Sequence, residues 1–280
     1  MEHIWKLFEQ YHLDENMRLL NSGPDQREFA AYLLSVGDGQ VEDSEPNPFP
    51  TAAESRIPLR SELRSSAGSL NAFCEEIFPN VTSTILSCEQ NGDKSWHDFL
   101  MERAILCPTN KDVDQINEIM INSFPGEVHE YRSYDKLLTE CQAHSFPVDL
   151  LNKVDVNGIP AHLIKLKKGA PIMLLRNLDP VRGHVNGTRY IIKALHRRII
   201  HAEIAVGPYK GNEYMIPRIL FHPKDRSLPI EMERKQFPVR LCFSVTSNKS
   251  QGQTLKHVGV YLKQVCSQLY KLFFEKFRKI

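Results

Sequence analysis

Phe237-Pro-Val-Arg-Leu-Cys-Phe-Ser-Val-Thr246-Ser-Asn248-Lys249-Ser-Gln251-Gly252-Gln-Thr254-Leu255 runs from an apolar stretch into a turn crowded with hydrogen-bond donors. The β-rich residues 241–245 predict a strand, Thr246 to Thr254 a polar turn with a helical start, and Val258-Gly-Val-Tyr-Leu262 a second strand. In open α/β sheets, ligands bind outside the carboxyl ends of the strands. A turn of this chemistry suits phosphate or a nucleic-acid backbone. The same residues also suit a solvated polar turn in which Gly252 supplies a positive φ.

Upstream, the apolar run Arg103-Ala-Ile-Leu-Cys107 predicts another strand, followed by Pro108-Thr109-Asn110 and a helical face made by Val113, Ile116, Ile119 and Met120. Thr109 with Asp112 three residues on resembles a capping box with Asp in place of Glu. Strand, tight turn and helix form the unit from which parallel α/β sheets are built. Between this unit and the closing one the texture changes. Short β-rich runs between Leu163 and Phe221, separated by Asn186-Gly187, Gly207-Pro208 and Gly211-Asn212, predict a small antiparallel barrel inserted into an α/β domain. Nearer the start, Phe29, Tyr32, Leu33 and Val36 make one helical stripe ending at Gly37 and Gly39. Pro46, Pro48 and Pro50 predict a loop over 40–60, and a short helix is expected from Leu70 to Phe78.

With 280 residues and 41% hydrophobic content, the chain can bury a sizeable core. Its 35 Lys and Arg nearly balance its 34 Asp and Glu, so any nucleic-acid surface must be local. Six cysteines, at 74, 88, 107, 141, 242 and 266, form no CxxC pair and have no His at metal spacing, as expected of free thiols in a reducing compartment. Glu2, His3, Lys6 and Glu9 interrupt any leader-like apolar run, and a soluble protein is expected. GxxxxGK[ST] is absent from the sequence, and so is the GxSxG elbow of a hydrolase nucleophile. Asp14-Glu15 is the nearest approach to a magnesium-binding acidic pair, but Glu9, Gln10 and His12 break the run before it and a helix cap describes it better.

The Thr246–Thr254 segment is very similar to a motif of the PIF-family helicases, the type carried by Helitron transposons, that reads Thr, any, His or Asn, Lys, any, Gln, Gly, any, Thr. Four further stretches resemble the same family in the same order: Leu13-Asp-Glu-Asn-Met-Arg18, Arg103 to Asn110, Leu166 to Asn177, and Asn186-Gly-Thr-Arg189. The resemblance implies two RecA-like domains with ATP and Mg²⁺ between them, the second carrying a small β-barrel. It implies here a partial RecA-like parallel-sheet domain of α/β class with an inserted antiparallel β-barrel. Its first part would span 1–150, the inserted barrel (2B-type) 151–235, and the return to the RecA-like domain 236–280.

On the same resemblance, Arg18 corresponds to the arginine that reaches the γ-phosphate, a role suited to a planar guanidinium supplied from a second domain. Lys249, Gln251 and Gly252 would face the nucleotide, while Thr246 and Asn248, with Thr254 on the same turn, would meet single-stranded DNA. Thr109 and Asn110 would meet DNA phosphates, with plain helix capping the alternative, and Arg189 would contribute to the same strand. A locally basic stretch of Lys165, Lys167, Lys168, Arg176, Arg182, Arg189, Lys193, Arg197 and Arg198, with His184 and Tyr190 interleaved, suits a strand-binding groove or the solvated face of a small sheet.

The sequence departs from the family at both ends. It begins where the segment after the Mg²⁺-binding acids would have finished, so the first RecA-like domain is expected to be missing. The closing Val-Ala-Leu-Ser-Arg is replaced by Lys271-Leu-Phe-Phe-Glu-Lys-Phe-Arg-Lys-Ile280. The expectation is a transposon-derived helicase portion without autonomous ATPase activity. The alternatives are a non-enzymatic module that binds single-stranded DNA or a protein partner, a half that complements a separate chain carrying the P-loop, and an inert remnant. Intracellular, nuclear residence and a role in DNA repair, recombination or telomere maintenance are what the resemblance implies.

Overall fold

The structure, a computed structural model, describes residues 8–9, 23–37, 60, 63–138, 151–154, 158–223 and 231–262. It divides into two units, Met1–Ser65 with Leu262–Ile280, and Ser66–Tyr261. The first unit contains the helix predicted from the Phe29–Val36 stripe, α1 (Pro24–Gly37), with Pro24 at its first position and Asp25 in its first turn. In the same unit, the Arg60 guanidinium lies 4.5 Å from the Tyr32 ring and donates to Glu28 at 2.9 Å. The expected loop at 40–60 lies outside the described residues, apart from Arg60.

The second unit opens with three short helices, α2 (Leu70–Ile77), α3 (Val81–Gln90) and α4 (Ser95–Met101). They lead into β1 (Arg103–Cys107) and α5 (Asn110–Ser123). Next come β2 (His129–Arg132), β3 (Tyr134–Leu137), β4 (Leu163–Leu166), β5 (Pro171–Leu174), β6 (Arg189–Leu195), β7 (Ile199–Ile204), β8 (Glu213–Pro217) and β9 (Ile219–Phe221). The unit closes with β10 (Met232–Gln236), β11 (Val239–Leu241), β12 (Ser244–Thr246) and β13 (His257–Val260). Among the described residues, the α/β part is a three-stranded parallel sheet in the order β12-β1-β13. Its central strand is the predicted one, and four of its five residues are buried because neighbours flank it on both sides.

Thr109 caps α5 as its spacing predicts, accepting from the Asp112 N–H at 3.2 Å and donating to the Asp112 carboxylate at 2.6 Å. The apolar stripe Val113, Ile116, Met120 and Ile121 turns inward. On the β13 edge, the absent side chain of Gly259 admits α2, since a Cβ there would stand 2.7 Å from Ile77 and 2.8 Å from Phe73.

The β-rich block is where expectation and structure part. Among the described residues it consists of open sheets: five antiparallel strands in the order β11-β5-β6-β7-β8, three in the order β3-β10-β9, and the pair β2-β4. No ladder closes these into the expected barrel. Prolines supply the physical reason. The predicted run Tyr214–Ile219 breaks at Pro217, which has no N–H for a ladder, and the chain leaves β8 for a different sheet at β9. Pro238 separates β10 from β11 in the same way, with β10 paired to β3 and β9 but β11 paired to β5.

The strand expected over 241–245 is likewise divided. Residues through Leu241 pair antiparallel with β5, and those from Ser244 pair parallel with β1. At the crossover, the Cys242 N–H donates to Pro171 O at 3.1 Å and the Phe243 carbonyl accepts from the Ile105 N–H at 3.0 Å, so each sheet keeps its hydrogen bonds. Phe243 fills the core between Phe78 and Phe124, with ring centroids 5.8 and 5.6 Å away. A single apolar cluster runs from Ile105 and Ile116 beneath the parallel sheet to Ile172, Ile192 and Ile200 in the antiparallel one.

Candidate functional site

Register places the two polar turns side by side. Cys107 lies opposite Thr246 at the carboxyl ends of parallel strands, and the Ser247 N–H donates to Cys107 O at 3.3 Å. Thr109 and Asn110 therefore adjoin the segment that begins at Thr246. That segment is braced from within. The Thr246 carbonyl accepts from the Lys249 and Ser250 N–H groups at 2.8 and 3.2 Å, Ser250 Oγ donates to Ser247 O at 2.8 Å, and Gln253 Nε2 donates to Lys249 O at 3.0 Å. Asn248, Lys249, Gln251 and Thr254 are exposed. Gly252 sits at φ +76° with no atom within 4 Å of where a Cβ would stand, which leaves its backbone open to close approach.

Asn117 on α5 holds the approach to this turn. Its Nδ2 donates to Leu241 O at 3.1 Å and Ser244 O at 3.2 Å, and its Oδ1 accepts from the Ser244 N–H at 3.0 Å. Arg240 holds the other turn, donating from Nε to Asp114 at 2.9 Å, from Nη1 to Asn110 Oδ1 at 2.7 Å and from Nη2 to Asn110 O at 2.9 Å. Lys249 reaches into the β-rich block, where its ammonium donates to Asn186 Oδ1 at 2.7 Å. Desolvation, then the nearby Arg176 charge, lowers its pKa from the ordinary lysine value.

The structure thus brings Thr109, Asn110, Thr246, Asn248, Lys249, Gln251, Gly252 and Thr254 to two adjoining turns of the sheet. Arg18 lies outside the described residues. Arg189 is elsewhere and is the correction to the expected strand contacts: it is only 2% exposed, and its guanidinium faces the protein interior. Nη1 donates to Met101 O at 2.8 Å and Nη2 to Leu100 O and Arg103 O at 3.4 Å, so it caps the carbonyl end of α4.

The basic stretch separates in the same manner. Buried Lys167 donates to Asn122 O and Phe124 O at the end of α5, Lys193 pairs with Glu203 at 3.0 Å, and Lys165 pairs with Glu118 at 3.4 Å. His184 and Tyr190 do not form a stacking platform for bases. Both are buried, with His184 stacked 4.0 Å from Tyr214 and its Nδ1 3.0 Å from the Tyr190 hydroxyl. Lys168, Arg176, Arg197 and Arg198 are the exposed members beside Arg182, which pairs with Asp179 at 3.7 Å. Sequence reading did not single out Asn117, Asn186 or Arg240 as parts of a site. Their partners lie 63 to 130 residues away, beyond the reach of any local pattern.

Residues 149–195 match the family described as DNA helicase Pif1, 2B domain. The zebrafish (Danio rerio) ATP-dependent DNA helicase PIF1 is 30% identical over 168 residues, covering 57% of this chain and 23% of that protein. The chain is similar to the Pif1 helicases. The Xenopus laevis PIF1 is 30% identical over 161 residues and the human PIF1 27% identical over 175, again with 57% of this chain and 23% of each relative covered. The chain therefore spans about a quarter of the length of these Pif1 relatives, 23%. Among solved structures, the Candida albicans Pif1 helicase aligns at 23% identity with a TM-score of 0.46, covering 61% of this chain and 42% of that one.

Proposed function

We propose that the chain is the strand-gripping second part of a Pif1-type, ATP-dependent DNA helicase, and that it has no ATPase activity by itself. The observation that carries this reading is the meeting of two donor-rich turns, 107–110 and 246–254, at the carboxyl ends of parallel strands, in a chain whose relatives are named DNA helicases. On this reading residues 1–150 and 236–280 belong to the second RecA-like domain and residues 151–235 to the 2B-type insertion. Arg18 serves the γ-phosphate. Lys249, Gln251 and Gly252 face the nucleotide. Thr109, Asn110, Thr246, Asn248 and Thr254 meet the sugar-phosphate backbone of single-stranded DNA.

The turn suits one wall of a phosphate site. It combines an ammonium with open backbone at Gly252, and phosphate contacts of this kind position a strand without reading its sequence. ATP with Mg²⁺, when bound, supplies the free energy of hydrolysis; the sequence given carries no GxxxxGK[ST] to cradle its phosphates. The protein's own residues grip the strand and orient the turn. Residues carrying a P-loop, from outside the sequence given, would complete the cleft, and nuclear residence and a Helitron origin belong to the same reading.

The test is DNA-stimulated ATP hydrolysis by the purified full chain, alongside anisotropy with a labelled single-stranded oligonucleotide. Salt-sensitive binding without turnover is expected. Robust turnover abolished by Arg18→Ala would overturn the inactive-alone reading, and absence of binding would leave an inert remnant.

A further inference from the structure

An exposed lysine ordinarily projects into water or pairs with a carboxylate. Lys249 does neither: its ammonium is held by the neutral amide oxygen of Asn186, 2.7 Å away and 63 residues earlier. The Asn186 bracket is itself fixed, because its N–H donates to Asn177 Oδ1 at 2.7 Å and the next N–H, of Gly187, donates to Leu174 O at 2.8 Å. Asn177 follows Arg176 directly, so one bracket locates both cations. Arg176 is oriented by the Phe221 ring, whose centroid lies 5.6 Å from the guanidinium carbon. The Asn177–Asn186–Lys249 chain of contacts sets the guanidinium of Arg176 on the side of the bracket that faces Lys249, and its charge contributes to lowering the lysine pKa. Two like charges held near each other raise the energy of the empty arrangement, and an anion between them reverses the sign.

We propose that Lys249 and Arg176, with Asn186 as the exchangeable acceptor between them, form a subsite for one phosphate oxyanion at the seam between the 246–252 turn and the β5–β6 connection. The inference rests on the reading of the turn as a phosphate-facing element. A phosphate oxygen takes the place of the Asn186 amide on the ammonium while the guanidinium donates to a second oxygen of the same group. The oxyanion comes either from the backbone of a DNA strand or from a nucleotide. In both cases it joins the parallel sheet to the antiparallel one.

The experiment uses the full chain, a fluorescein-labelled oligothymidylate and a fluorescent ATP analogue, with Arg176→Gln and Asn186→Asp as variants. Arg176 is exposed, so its replacement should leave the melting temperature unchanged. Asp at 186 places a carboxylate on the ammonium and competes with the ligand. If the source is a strand, both variants bind oligothymidylate about tenfold more weakly, and R176Q flattens the slope of log K against log salt by about 0.7. If the source is a nucleotide, the loss appears with the ATP analogue and the oligothymidylate is unaffected. Wild-type binding that both variants retain within twofold for both probes overturns the subsite and leaves the proposed function standing. A wild-type chain that binds neither probe overturns both.

Discussion

Replacing Arg189 by Met separates a structural arginine from a strand-binding one. The guanidinium makes one short bond, 2.8 Å to Met101 O, and two long ones at 3.4 Å, to Leu100 O at the end of α4 and to Arg103 O at the start of β1. A bond from a charged donor contributes about 1.5–3 kcal/mol, and a cation at a partly buried helix C-terminus up to about 2. Two considerations reduce the sum. Arg189 Nε is buried without a partner, and removing a buried charge relieves its desolvation. The expected loss is about 2–4 kcal/mol, which at an m-value near 2 kcal/mol/M lowers the urea midpoint by roughly 1–2 M. Far-UV circular dichroism across a urea series measures it. Oligothymidylate affinity, read without denaturant, should change less than twofold. An unchanged midpoint with strand binding weakened about tenfold would refute the structural assignment and restore the role implied by the Asn186-Gly-Thr-Arg189 motif.

Asp135 and Arg234 form a two-pronged ion pair at 3.0 and 2.9 Å with side chains 0% and 2% exposed, so Asp135→Ala should cost about 3–5 kcal/mol in urea unfolding. Adding Arg234→Met should not restore the wild-type midpoint, because Arg234 also donates to the carbonyls of Leu151, Val154 and Pro160. Burial pushes the Cys74 and Cys107 thiols from 9.0 up to about 11. These groups stay protonated in the folded chain, whereas unfolded thiols ionise from about pH 9. Their contribution to stability is therefore complete below that pH and is lost as pH rises toward 11. Midpoints at about pH 8 and 10 should differ in that direction, and the Cys74→Ala, Cys107→Ala double variant should narrow the difference.

Local chemistry was legible wherever it was sufficient. Thr109 and Asp112 announce the start of α5, and the apolar run Arg103–Cys107 coincides with β1. The helices α3 and α4 carry no such announcement. Asn80 precedes α3 in the left-handed region at φ 51° and Lys94 precedes α4, neither with a side-chain cap bond. Burial of Val81, Ile85, Trp96 and Leu100 stabilises these helices, and that is tertiary information. Cations were the least legible residues. Lys167, Arg189 and Arg234 look solvent-facing in sequence, yet each lies inside, donating to backbone carbonyls. The polar turn itself was readable, but Asn186 and Arg240, which hold its surroundings, come from elements that only folding brings near.

The crossover at Cys242-Phe243 decides where motion can occur. It joins the antiparallel sheet at β11 to the parallel sheet at β12, and Asn117 clamps it with three hydrogen bonds while Phe243 is buried between two aromatic rings. A link packed in this way transmits displacement and does not absorb it. Arg189 on β6 donates to Arg103 O on β1 at 3.4 Å, whereas Lys249 to Asn186 is an exposed bond between side chains, and its opening disturbs no ladder. Beyond Thr246 the turn is held by its own bonds, by the Ser247 N–H on Cys107 O and by Lys249 on Asn186, before the Lys256 and His257 N–H groups donate to Glu102 O as β13 begins. On the proposed reading, a ligand that drew Lys249 from Asn186 would shift the 246–254 turn against this seam, and the adjoining Asn110, anchored by Arg240, would provide the stationary side.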